Sequence, residues 1–262
     1  MLRMKRFWNT LVIVFVALVL VTSCKKDDGD TPVDPKAENR KSLGISAEDL
    51  LSEDIYDQLT IELVYPPSFR PTDIAINEFR SFLNERLNKS GGINIVETVI
   101  EAPSGAPFSI EEIRAIEEEH REHYTMDNNI AVYIFFSNGV STNDTNTSVT
   151  LGTAYRNTSI VVYERTVRNL ASNNPNIELH ELEINTLEHE FGHILGLVNI
   201  QGDDIHNDHE DPAHSKHCVV EDCLMYFEST DGQRIVERIS KKGMLPTFDP
   251  LCIADLQAKG GK

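Results

Sequence analysis

Two hydrophobic periods alternate along this chain, and the changes of period mark out its elements. Residues 59–65 (LTIELVY) read as a strand, stopped by Pro66 and Pro67. Over residues 72–87 the apolar positions Ile74, Ile76, Phe79, Phe82, Leu83 and Leu87 fall on one stripe of a helix, which Ser90-Gly91-Gly92 ends. Residues 93–100 alternate as a second strand. Ser109 and Glu112 have the spacing of a capping box and open a charged helix running to about His123. Residues 130–136 (IAVYIFF) are apolar throughout, the mark of a central strand buried on both faces. A polar loop over residues 137–148 precedes two more strand-like runs, 150–155 and 158–163, joined through Arg156 and Asn157. A helix follows from about Ile177 to a break near Gly196, and residues 249–257 form a closing C-terminal helix. Residues 46–51 form a short capped helix ahead of the first strand. Strands alternating with helices predict an α/β layer of moderate size, with no internal repeat.

The N-terminus departs from both periods. Arg3, Lys5 and Arg6 precede an unbroken apolar run from Leu11 to Val21, the layout of a signal peptide, and the run is short for a membrane span of about 20 residues. It ends Val21-Thr22-Ser23-Cys24, which resembles the lipobox of bacterial lipoproteins. The resemblance implies acylation of Cys24, removal of residues 1–23, and an extracytoplasmic protein at the outer membrane or cell surface that meets the membrane only through its lipid. The acidic residues Asp27, Asp28 and Asp30 resemble signals for the outer face of the outer membrane. Residues 24–43 are charged, carry Pro32 and Pro35, and read as a flexible tether, leaving 44–262 as one folded domain.

Composition narrows the function. The chain has 262 residues, 40% apolar, with a formal charge of −18. Loss of Arg3, Lys5 and Arg6 with the leader makes the mature chain more acidic still. Phosphate backbones are held by clustered Lys and Arg, so nucleic acid is excluded as a partner.

The chemistry is concentrated in Glu188-His189-Glu190-Phe191-Gly192-His193. Two His four residues apart on a helix share a face and can bind one zinc ion, and Glu190 beside them is placed as general base toward its water. A catalytic zinc has three protein ligands and an open position, so one more donor is needed. H-E-x-x-H-x-x-G resembles the start of the metzincin signature, but the position of the usual third ligand is Asn199. Downstream stand His206, His209, His214 and His217, the last opening H-C-x4-C-x-M over residues 217–225.

That segment resembles the archaemetzincin branch of the metzincins. The resemblance implies a twisted mixed sheet, an active-site helix and a C-terminal helix. It also implies His217 as third ligand to one catalytic zinc, Met225 as the Met-turn residue, an insertion over residues 197–216, and a peptide or protein substrate. An edge strand along the cleft is expected to pair with that substrate, and residues 151–155 are the candidate. His214 competes with His217 as the third ligand, with His206 or His209 behind it. The family's later C-x-x-C, which helps hold a structural zinc, is represented here only by Cys252, so a four-Cys site is not available. Cys218 and Cys223 are a candidate disulfide, with pairing to Cys252 or three free thiols as alternatives. The expectation is a lipid-anchored zinc metalloendopeptidase; the rival is a zinc-stabilised surface binding lipoprotein that cuts nothing.

Overall fold

The most apolar stretch of the chain becomes the middle of a sheet. The computed structural model describes residues 34–262 except 207 and 231. The expected signal peptide and Cys24 lie outside the described residues. Five strands run in the order β2-β1-β3-β5-β4: β1 Gln58–Tyr65, β2 Gly92–Val99, β3 Asn129–Phe136, β4 Gly152–Arg156 and β5 Ser159–Val162. The first four in that order are mutually parallel, and β4 closes the edge antiparallel to β5. Ile61 of β1 sits between Ile95 of β2 and Val132 of β3.

Strand alternation sorts the core into two layers. Ile130, Val132, Ile134 and Phe136 face one side of β3, and Tyr133 and Phe135 face the other. The first side is covered by α2 (Asp73–Arg86) and α5 (Leu179–Ile194), the second by α3 (Ile110–His120). Phe191 of α5 meets Phe79 and Phe82 of α2 edge to face, with ring centroids 5.4 and 6.3 Å apart. These rings lock the helix that carries the His pair against the sheet.

The helix ends follow local chemistry. Ser109 and Glu112 form the expected capping box on α3, although the helix stops at His120. The remaining helices are α1 (Ala47–Leu51), α4 (Glu164–Asn173), α6 (Gly232–Lys242) and α7 (Pro250–Ala258). Asp249 caps α7, with Pro250 in its first turn. Neither α4 nor α6 is anticipated by the sequence pattern, because their stripes are short and interrupted by charge. Among the described residues no helix is long and apolar enough to cross a membrane.

The boundary at residue 44 needs correction. The compact unit begins at Pro35, and residues 35–43 belong to it rather than to a tether. Asn39 is the reason. Its amide donates to Thr125 Oγ1, the Ala131 carbonyl and Thr158 Oγ1, and its oxygen accepts from Thr125 N–H. One buried amide with all these partners stitches the segment to β3 and to the turn before β5.

Candidate metal centre

Helix α5 presents His189 and His193 one turn apart, with Nε2 atoms 3.1 Å from each other. His217 arrives from the loop after α5, its ring centroid 5.4 Å from His189 and 5.2 Å from His193. Donor nitrogens of all three lie within 4.8 Å of one another. The His189 Nδ1 faces the Leu224 carbonyl at 2.7 Å, which fixes that tautomer and leaves Nε2 as the ligand atom. His193 Nδ1 is buried with no hydrogen-bond partner.

Electrostatics favour the ligand form. Burial pushes His189 down to about 3, and holds His193 well below and His217 below the ordinary imidazole value. Three neutral imidazoles with converging lone pairs fit a divalent cation.

Glu190 is 3% exposed, and its Oε2 accepts the Ala154 N–H at 2.7 Å. Burial raises its carboxyl to about 8, the Ala154 bond opposing. A cation beside it would draw that value down again. Gly152 makes room for it: a Cβ there would stand 2.7 Å from Glu190 Cγ. Both partners lie on β4, the outer strand of the sheet. The cleft in front, about 590 Å³, is lined by Gly152, Ala154, Glu190, His193, His217 and Phe227 among others. A larger hollow of about 760 Å³ lies between the end of β2 and α3, and none of the three imidazoles lines it.

Met225 lies under the helix against Gly192, and its carbonyl accepts from Cys218 N–H at 2.8 Å. That bond ties the neighbour of His217 to the floor of the site.

The other histidines are engaged elsewhere. His214 Nδ1 is 2.7 Å from Asp211 Oδ2, and its ring stacks on Phe227 at 3.5 Å. His206 Nδ1 is 2.9 Å from Asp255 Oδ1. His209 is buried between Asp255 and Cys218.

The candidate Cys218–Cys223 disulfide is not formed, and all three thiols are free. The Cys218 sulfur turns toward Asp249 and His209, while Cys223 turns toward Cys252. Sequence reasoning placed Gly152 and Ala154 on the candidate edge strand but missed their contacts with Glu190, and it missed the parts played by Phe227 and Asp249.

No family model matches the chain, and no curated protein matches it. Among solved structures, the crystal structure of archaemetzincin from Methanopyrus kandleri is similar. It shares 18% identity over 78% of this chain and 96% of that one, with a TM-score of 0.49.

Proposed function

We propose that this protein is a zinc-dependent endopeptidase. One observation carries the reading: three neutral imidazoles converge beside a buried carboxyl group, in a cleft bordered by the outermost strand of the sheet. His189, His193 and His217 would hold one zinc ion. Bound there, zinc supplies Lewis acidity, polarising a carbonyl and lowering the pKa of water toward neutrality.

The chain's own residues do the rest. Glu190 takes a proton from the attacking water and returns it to the leaving amine. The Ala154 N–H holds one carboxylate oxygen at 2.7 Å and so fixes the direction of the other. The outer edge of β4 offers backbone groups to an extended peptide, which brings its carbonyl in front of Glu190. Glu190 also separates this reading from a purely structural zinc site, which has no use for an unligated buried carboxylate beside its ligands.

We also propose that Cys24 is acylated and anchors the protein at the cell surface. The support is the basic start, the apolar run and Val21-Thr22-Ser23-Cys24. Labelling with a fatty-acid analogue, lost in Cys24→Ala, tests it. The peptidase reading is tested on a mixed peptide library. Hydrolysis that stops with chelator and returns with zinc is expected. Intact peptides under all three conditions would leave a zinc-stabilised binding protein instead.

A further inference from the structure

Next to the cleft lies a second hollow of opposite electrical character. It holds about 460 Å³, and Leu43 forms a wall common to both spaces. Arg40, Lys41, Arg114 and Arg156 line it, and no carboxylate is among its lining residues. Four cations around one hollow stand out on a chain whose formal charge is −18.

The fold holds these cations in place. Strand β4 carries a bulge at Tyr155: Ala154 pairs with Ile160, and Arg156 pairs with the adjoining Ser159. The extra residue turns the Arg156 side chain away from α5 and toward α3. There its Nη1 donates to Glu117 and to Glu118, both at 3.0 Å. Arg121 pairs with the same Glu117 at 2.8 Å, and Arg40 with the same Glu118. Two carboxylates thus serve three guanidiniums. Arg114, on α3, makes no ion pair among the described residues. Its Nη2 donates to the Tyr155 carbonyl at 3.3 Å, and its Nε is buried with no hydrogen-bond partner. The Asn157 N–H donates to the Lys41 carbonyl at 3.2 Å, which ties the far wall to the turn after β4. Cations in excess of their partners, with guanidinium donors unused, suit a planar two-oxygen anion.

The hollow also has a fixed relation to the bond that would be cut. The Ala154 N–H holds Glu190, so Ala154 marks the reacting position on β4. Arg156 is two residues further on, about 7 Å along a strand. A peptide laid antiparallel on β4, the commoner of the two strand pairings, sends the residues ahead of its cut bond toward Arg156.

We propose that this hollow is a specificity subsite for a carboxylate. It takes an Asp or Glu side chain about two or three residues to the N-terminal side of the cleaved bond. Arg114 and Arg156 receive the carboxylate, and Arg40 and Lys41 add to the field. The subsite rests on the peptidase reading of the imidazole cluster, and it narrows the substrate to acidic peptides.

The test uses the full-length protein and capped peptides that differ at one position, as Glu, Gln or Lys, scanned along both sides of the cut bond. Glu is expected to exceed Gln in kcat/KM by about 10-fold or more, at positions on the N-terminal side and through KM. The preference should shrink at high salt, fall toward unity in Arg114→Gln and survive in part in Arg114→Lys. Thermal melts confirm that both variants fold. Equal cleavage of Glu and Gln peptides at every position would overturn the subsite and leave the peptidase standing. So would a Glu preference undiminished in folded Arg114→Gln, or one confined to the C-terminal side. Binding of the same peptides to the parent, followed by fluorescence anisotropy, separates the two readings if no peptide is cut. Tighter binding of the Glu peptide, lost in Arg114→Gln, would then support the subsite and overturn the peptidase, whereas equal binding would overturn the subsite.

Discussion

Gly192 and Met225 touch across the floor of the imidazole cluster: a methyl group on the glycine would stand 2.4 Å from the methionine sulfur. The helix can lie over the Met225 turn only because position 192 has no side chain. Gly192→Ala forces the two apart and tilts His189 and His193 relative to His217. A loss of about 1–3 kcal/mol is expected from overpacking. Zinc affinity should fall with it, while Met225→Leu, which shortens the contact less, should be nearly silent. Thermal melts and zinc titration of the two variants check this.

Gly152 does the same for Glu190, the proposed general base. Its added Cβ would stand 2.7 Å from Glu190 Cγ. Gly152→Ala should leave zinc content and fold intact and lower kcat by about 10²-fold, since misplacing a catalytic group by about an ångström has that cost. Equal kcat in variant and parent would count against the placement of Glu190.

A carboxyl pair buried beneath α5 predicts how stability depends on pH. Glu164 and Glu183 are both fully buried. Desolvation, with the Glu183 charge added, raises Glu164 well above the carboxylate range, the Arg168 guanidinium opposing. A carboxyl raised in the folded state stabilises fully below its unfolded pKa of about 4.3, and that contribution fades as pH climbs toward the folded value. Urea midpoints of the parent should therefore decline with rising pH above that point. In Glu164→Gln the decline should be shallower. Parallel curves would contradict the sign.

Asn39 predicts where the domain starts. Asn39→Ala strands Thr125 N–H and weakens the hold on β3, for an expected loss of about 1–3 kcal/mol in urea unfolding. A chain lacking residues 1–43 should melt below one lacking residues 1–34.

How much of this was legible depended on range. The spacing of His189, Glu190 and His193 is local, since a helix alone puts them on one face, and the apolar run of β3 announces its own burial. The capping box at Ser109 is local too. Asn39 was hidden because a polar residue between charged neighbours looks solvated, and its partners lie 86 to 119 positions away. His209 and His217 look alike in sequence. Only the return of the chain at Met225 and α7 puts one among sulfurs and the other beside His189. The state of the thiols stayed open for the same reason, because only the fold brings the Cys223 sulfur to Cys252, 29 residues on.

The central claim is that Glu190 is the proton carrier of a zinc peptidase and not a ligand. It is tested on one preparation of Glu190→Gln, by measuring zinc content and peptide hydrolysis together. The account predicts full zinc occupancy with hydrolysis lowered by about 10²–10⁴-fold. Hydrolysis at the parent rate with zinc bound would contradict it.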